Sequence, residues 1–144
     1  MVRAGVYGFG NVGFERAISR FERHVINEVK RIVAETAEIM VSQMRALAPV
    51  AEIDGGNLRN SIDVKYLNGG LTAVITVTAD YAIYVEFGTG IYAENGNGRQ
   101  DPWVYYDEKQ RRYVFTRGMH AQPFFRPGIE GGSRHFEREM RRLG

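Results

Sequence analysis

Apolar residues recur at every third or fourth position from Phe14 to Leu47, which is the spacing of an amphipathic helix. Neither glycine nor proline interrupts this stretch, and Pro49 is expected to end it because the residue before a proline disfavours the helical conformation. A helix over residues 14–47 would be roughly 50 Å long, which exceeds the diameter of a domain of this size. Either the helix bends, or a neighbouring chain buries part of its apolar stripe. In the second case Phe14 and Ile18 are candidate interface residues.

Two later segments alternate between apolar and polar residues, as strands with one buried face do. Ile62 to Tyr66 is the first and Leu71 to Thr78 is the second, and the Asn-Gly-Gly sequence at 68–70 between them is typical of a turn. The pattern therefore predicts an antiparallel hairpin. A long helix followed by such a hairpin indicates an α+β fold.

Residues 81–90 are dense in aromatic side chains and contain few groups with reactive chemistry. Asp80 is placed to cap a short helix here, and Gly88 is placed to stop it. A strand is the alternative prediction, because aromatic and β-branched residues also suit a sheet. Glu86 lies inside the segment, and we expect it to bind an arginine or a backbone N–H group, with Arg126 as the first candidate.

Residues 88–101 contain four glycines and no apolar period, so they predict a mobile loop. Two aromatic segments, Trp103 to Tyr106 and Tyr113 to Thr116, then predict a second hairpin across a charged turn. We expect residues 90–118 to form an arm that projects from the core and becomes ordered on assembly, because a lone two-stranded hairpin is marginally stable in water. The interface candidates on this arm are Trp103, Tyr105, Arg111, Arg112 and Tyr113.

The chain is expected to close with a helix over residues 127–143, since Pro127 suits the first turn of a helix. Gly131 and Gly132 weaken its start by about 1 kcal/mol each relative to alanine, so regular helix is expected only after them. With a flexible N-terminal arm over residues 1–13, the whole chain is predicted to be a single α+β domain. In this domain the long helix packs on an antiparallel sheet.

The 144 residues are 44% hydrophobic, which is enough for one core. The absence of cysteine excludes disulfides, thiolate metal sites and a cysteine nucleophile. No apolar run is long enough to span a membrane, and the N-terminus lacks the apolar centre of a secretory signal. No membrane partner is therefore expected.

The candidates for cofactor binding and catalysis are few. Residues 8–13 match the glycine pattern of a dinucleotide site and precede a helix, but the flanking strands and the acidic residue of that site are missing. The three histidines are far apart in sequence and share no metal-ligand spacing. Asp80 and Glu86 could in principle form an acid and base pair, but no nucleophile accompanies them. We therefore predict no cofactor, no metal and no enzymatic activity.

Of the 19 basic residues, 16 are arginine, which suits bidentate and stacked contacts at interfaces. Four cations of the predicted arm alternate with its aromatic residues, a composition typical of nucleic-acid surfaces: Lys109, Arg111, Arg112 and Arg117. A two-stranded arm with alternating aromatic and charged faces would have the same composition. A nucleic-acid-binding module that uses this arm is therefore the alternative function.

Four motifs resemble those of one protein family: APV at 48–50, GNLRNSI at 56–62, YAIYVEFGT at 81–89 and QPFFRP at 122–127. Their order and spacing, over nearly the whole chain after the N-terminal arm, make the chain similar to the tailed-phage morphogenesis family typified by gene product ten of coliphage HK-ninety-seven. Two positions depart from the family's usual pattern, since Gly55 replaces a threonine and Gly128 replaces an alanine.

This resemblance implies a structural protein of a phage or prophage, with no catalytic residues to carry over. Members of the family look like head-tail joining or tail-completion components, which implies a ring of identical subunits in the neck. The partners implied are further copies of the chain and the neighbouring neck and tail proteins, and any DNA contact would be incidental. The implied location is the virion, reached after assembly in the host cytoplasm.

Overall fold

The structure is a computed structural model in which residues 12–50 and 56–144 are described, with side chains from residue 16 onwards in the first of these ranges. Residues 1–11 of the predicted N-terminal arm, which include most of its glycine motif, lie outside the described residues, as does the side chain of Phe14. The first helix begins at Val12, so residues 12 and 13 belong to it.

Helices and strands follow one another in an α+β order that confirms the predicted fold class. The helices are α1 (Val12–Leu47), α2 (Asn57–Asn60), α3 (Ala82–Phe87) and α4 (Phe125–Leu143). The strands are β1 (Ile62–Leu67), β2 (Thr72–Val77), β3 (Trp103–Asp107) and β4 (Arg112–Thr116). Short 3₁₀ turns lie at Asn68–Gly70 and Gly90–Tyr92.

The first predicted hairpin is confirmed by the antiparallel pairing of β1 with β2, in which Ile62 lies opposite Val77. Its turn has positive φ angles at Asn68 (54°), Gly69 (66°) and Gly70 (99°), a conformation that glycine and asparagine adopt most readily. Side chains alternate across a strand, so Ile62 is fully buried against the core while its neighbours along β1 are more exposed.

The core lies between the C-terminal half of α1, the first hairpin and the start of α4. Its buried cluster consists of Val41, Met44, Ala48, Leu58, Ile62, Val85 and Phe124. The predicted stripe is therefore the core face of α1 from Ile32 onwards, where Ile32 itself is fully buried. The prediction for the end of the stripe is wrong, because Leu47 is 48% exposed and Ala48 is buried in its place.

The predicted short helix is present as α3, and Gly88 ends it with a φ angle of 77°. The prediction that Asp80 caps this helix is wrong. Tyr81 is the N-cap residue, because its carbonyl oxygen accepts hydrogen bonds from the N–H groups of Tyr84 and Val85. Asp80 therefore stands one residue too early to reach the first free N–H groups of the helix.

The C-terminal helix begins two residues earlier than predicted. Pro127 is the third residue of α4, and Gly131 and Gly132 lie within regular helix. α4 packs antiparallel along α1, so that Gly132 lies beside Met40 and the Nε2 atom of His135 is 3.2 Å from a carboxylate oxygen of Glu35.

The glycines of α4 allow the two helices to approach closely. A Cβ atom at Gly128 would lie 2.5 Å from Cγ of Met44 and 3.0 Å from the carbonyl oxygen of Met40. A Cβ atom at Gly132 would overlap Cγ of Met40. Helix packing in this space outweighs the intrinsic cost of a glycine in a helix, which is why the glycines do not delay the start of α4.

The N-terminal part of α1 extends beyond the end of α4. Near that end, Glu139 lies 3.8 Å from Arg31 of α1, and α4 finishes four residues later at Leu143. Residues 16–27 of α1, here named the α1 overhang, therefore continue past α4 for about 18 Å. Phe21 in the overhang is 67% exposed, and Ile18 and Val25 are only half-buried.

Gly128→Ala is expected to lower the free energy of unfolding by about 1–2 kcal/mol, because overpacking against Met44 and the Met40 backbone exceeds the gain in helix propensity. Gly131→Ala in the same helix is the control. A Cβ atom there meets only the terminal amide group of Gln43, which is exposed and can rotate away. This variant should unfold at the same urea concentration as the parent chain or a higher one. Equal stabilisation of both variants would contradict the close packing at Gly128.

Candidate assembly surfaces

The buried carboxylate of Glu86, on α3, binds the first residues of α4. Its oxygens accept hydrogen bonds from the backbone N–H groups of Phe124 (2.8 Å), Phe125 (2.9 Å) and Arg126 (3.0 Å). The side chain of Arg126 donates a further hydrogen bond from Nε at 2.8 Å. The predicted pairing of Glu86 with Arg126 is therefore present, and the backbone contacts come in addition to it.

This arrangement caps α4 from a distant part of the chain. The first N–H groups of a helix have no partner within the helix, and the positive end of the helix dipole lies there. Phe124, the N-cap residue, has no side chain that could accept these hydrogen bonds. Glu86 supplies both the acceptor atoms and the negative charge, 38 to 40 residues earlier in the sequence.

Burial of Glu86, whose exposure is only 4%, would by itself raise the pKa of its carboxyl group. The hydrogen bonds from Phe124, Phe125 and Arg126 outweigh this effect and hold the pKa of Glu86 below its ordinary value of 4.5. Glu86 is therefore ionised at neutral pH.

Arg126 extends the contact to the loop that follows α3. Its guanidinium group lies 2.9 Å from the carboxylate of Glu94 and sits over the ring of Phe87 at 4.7 Å. The group formed by Glu86, Arg126 and Glu94, here named the Glu86 cluster, thus joins α3, the loop and the start of α4.

Two chain segments run side by side where the arm leaves the core and returns to it. Thr89 donates its N–H to the carbonyl oxygen of Met119 (2.8 Å), and Ile91 donates its N–H to that of Arg117 (3.1 Å). Gly90 (φ 62°) and Gly118 (φ 129°) lie at this point, where a Cβ atom on either would overlap the opposite backbone. These two glycines serve close approach of the chain, and the mobility of residues 90–118 stays a prediction.

The arm contains the predicted second hairpin, with β3 and β4 paired so that Val104 lies opposite Phe115 and Tyr106 lies opposite Tyr113. These four side chains share one face of the hairpin and are between 49% and 76% exposed. We name this face the arm outer face. The rings of Tyr106 and Tyr113 are in edge contact, with centroids 5.2 Å apart.

The candidate arm residues do not form one group. Trp103 and Tyr105 lie on the opposite face of the hairpin from Tyr113, because side chains alternate along each strand. Arg112 lies across from Asp107 and donates a hydrogen bond to Gln110 at 2.7 Å. Arg111 is in the turn, with a φ angle of 54°.

This register counts against the arm outer face as a nucleic-acid surface. The arm outer face carries four apolar or aromatic side chains, and none of its strand residues is charged. A surface that stacks bases and holds the phosphate backbone needs aromatic and cationic groups side by side. Lys109, moreover, lies against the core with its Nζ atom 5.8 Å from the ring centroid of Tyr81.

The predicted interface residues with described side chains thus fall in three places: Ile18 on the α1 overhang, Glu86 and Arg126 in the Glu86 cluster, and the others on the arm. On the arm, Tyr113 lies on the outer face, Trp103, Tyr105 and Arg112 lie on the opposite face, and Arg111 lies in the turn. The exposed residues Val104, Tyr106 and Phe115 were not among the candidates. The alternation of side chains across the two strands, combined with the pairing register, is the signal that groups them with Tyr113.

Among residues 12–50 and 56–144 there is no cluster of three or more histidine and acidic side chains with the geometry of a metal site. Within the same ranges, no helix combines the length and the apolarity that a membrane span requires.

A family model described as "Bacteriophage HK97-gp10, putative tail-component" matches residues 13–88, which is more than half of the chain. No curated protein and no solved structure matches the chain. The matched region runs from the start of α1 to the end of α3. The resemblance was expected over nearly the whole chain, but the arm and α4 lie outside the matched residues.

Glu86→Gln is expected to lower the free energy of unfolding by about 2–4 kcal/mol, since an amide cannot accept all four hydrogen bonds and provides no charge for the helix end. Glu94→Gln is the matched control, because it removes a carboxylate from the same arginine at a more exposed position. Its cost should be about 0.2–1 kcal/mol. Urea denaturation of both variants measures the difference. Equal losses would show that the backbone contacts of Glu86 contribute nothing.

The stability of the parent chain should fall more steeply in acid than that of Glu86→Gln. The folded pKa of Glu86 lies below its ordinary value, so its contribution is present above about pH 4.5 and is lost as the pH falls through the folded pKa. Glu35 also has a lowered pKa, caused by Arg31, but it is common to both proteins and cancels in their difference. Urea denaturation between neutral pH and pH 3 tests this, and parallel curves for the two proteins would refute it.

Proposed function

The chain belongs to the HK97 gp10-like family of bacteriophage tail components, and from this premise we propose that it is a ring subunit that joins the phage head to the tail or completes the tail. The family gives the structural role in the phage tail. The neck position and the ring are our proposals, and the exposed apolar surface is the observation that supports them.

The described part of the chain exposes more large apolar side chains than its core contains. Eighteen are exposed, whereas ten hydrophobic residues are buried. Single exposed apolar residues are common on soluble proteins, but contiguous groups of them mark interaction surfaces. Here they are contiguous on the arm outer face, where four exposed side chains lie in two directly opposed pairs across the hairpin.

The buried charge of Glu86 serves the internal structure, which supports a structural role for the chain. Both carboxylate oxygens of Glu86, the one buried acidic side chain among the described residues, are occupied by hydrogen bonds that hold α4 in place. The cluster therefore acts as a structural support. It fixes the helix that covers α1 and leaves the outer surfaces available for partners.

The proposed partners are further copies of this chain and the neighbouring neck and tail proteins. The proposed location is the virion, with assembly in the host cytoplasm. A nucleic-acid-binding arm is the competing function, and gel-shift assays separate the two. A DNA affinity that falls steeply as salt increases would support the binding module. A closed oligomer that persists at high salt supports the ring.

Ile18→Asp is expected to weaken self-association and to leave the fold intact, because Ile18 lies on the α1 overhang, beyond the end of α4. Ile32→Asp on the same helix should unfold the chain, since Ile32 is fully buried and an unpaired buried charge costs more than the stability of a small domain allows. Light scattering and circular dichroism measure the two effects. The same loss of thermal stability in both variants would contradict an interface on the overhang.

A further inference from the structure

We propose that the α1 overhang of one copy packs on the arm outer face of the next copy, so that the ring is built from head-to-tail contacts. This proposal rests on the proposed ring and specifies the two surfaces that form it. A ring requires two different, complementary surfaces on each subunit, because a contact between identical surfaces closes a dimer instead.

The two surfaces lie at opposite ends of the molecule. The tip of the arm lies beside Tyr81, and the groove between them is also lined by Pro49 and Val50, just after the end of α1. The overhang is the other end of the same helix, about 35 Å away along its axis. One chain therefore cannot cover its own arm with its own overhang, whereas a second copy can.

The apolar stripe of the overhang continues the face of α1 that α4 covers. Ile18, Phe21 and Val25 follow the same helical spacing as Ile32 and Thr36, which are buried further along. The apolar stripe that contacts α4 thus continues into a part of α1 that α4 does not cover. A second apolar element placed against the overhang would prolong that interface.

The arm outer face has the size and chemistry to be this element. Two strands of five residues provide a surface of about 16 Å by 10 Å, and the three stripe residues of the overhang span about 10 Å of helix. The arm outer face carries aromatic and β-branched side chains, and the overhang carries aliphatic and phenylalanine side chains. Neither surface places a charge at its centre, so no charge has to be buried unpaired.

Charge disfavours the alternative in which two overhangs pair with each other. Residues 16–31 and 134–144, which form the overhang end of the molecule, carry nine basic and four acidic side chains, a net charge of +5. Residues 80–118, which comprise α3 and the arm, carry five basic and six acidic side chains, a net charge of −1. Two overhang ends would repel each other, whereas an overhang end and an arm end would not.

The test uses two variants that each lose one surface. Phe21→Asp removes the overhang surface and Phe115→Asp removes the arm surface, and each should weaken self-association by ~100-fold, as expected for a residue at the centre of an interface. An equimolar mixture should form dimers, because each variant supplies the surface that the other lacks. Ile83→Asp is the control, since Ile83 on α3 is similarly exposed but lies outside both surfaces, and it should assemble like the parent chain. All three positions are exposed, so circular dichroism should show an unchanged fold.

Crosslinking identifies the contact directly, because the parent chain has no cysteine. A mixture of Phe21→Cys and Phe115→Cys treated with a short bismaleimide should give a crosslinked dimer, and neither variant alone should. If Phe115→Asp assembles into the same closed oligomer as the parent chain, the head-to-tail contact is wrong while the ring stands. If Phe21→Cys crosslinks to itself and the parent chain forms only dimers, two overhangs pair with each other, and both the contact and the ring are wrong. If the parent chain stays monomeric at every concentration, the ring and this contact are both wrong.

Discussion

The carboxylate of Glu86 determines how the two halves of this structure meet. It accepts hydrogen bonds from the free N–H groups at the start of α4 and from the guanidinium group of Arg126. A buried charge is tolerated only when donors surround it, and a helix end is stable only when acceptors do. The helix end thus supplies the donors that the buried carboxylate needs, and the carboxylate supplies the acceptors that the helix end needs. Glu86 thereby fixes where α4 begins, and packing against α1 fixes the course of the helix from there.

The close contact of α4 with α1 depends in turn on what the helix lacks. Gly128 and Gly132 leave room for Met40 and Met44, so the helices approach where larger residues would hold them apart. The same contact ends at Leu143, which leaves the α1 overhang uncovered. The part of α1 that α4 buries stabilises the monomer, and the part that stays exposed is the proposed assembly surface. The point at which α4 ends separates the two.

Much of this fold could be predicted from local signals in the sequence. The long helix, both hairpins and α3 follow from apolar periods and turn residues, and Glu86 could be paired with Arg126 because a carboxylate in an apolar segment needs a donor. The start of α4 could not, because glycine lowers helix propensity and only the contact with α1 offsets that loss. The glycines at 90 and 118 indicate flexibility when taken one at a time. Their role in close approach depends on a contact between distant parts of the chain, which no local pattern contains. For the same reason the aromatic residues of the arm could be recognised, but their division between two faces required the pairing register.

The contact between Gly90 and Gly118 has a consequence for how this chain can vary. Because the backbone returns to the point from which it left, the residues between these two glycines form a closed excursion, and the path of the remaining chain does not depend on their number. Insertions and deletions in the excursion would leave α1, the first hairpin and α4 in register. Related proteins can therefore differ in the length of this segment beyond Glu94 and still share the same helical framework. Exchange of this one segment would then change the exposed surface of the molecule, while the framework stays the same.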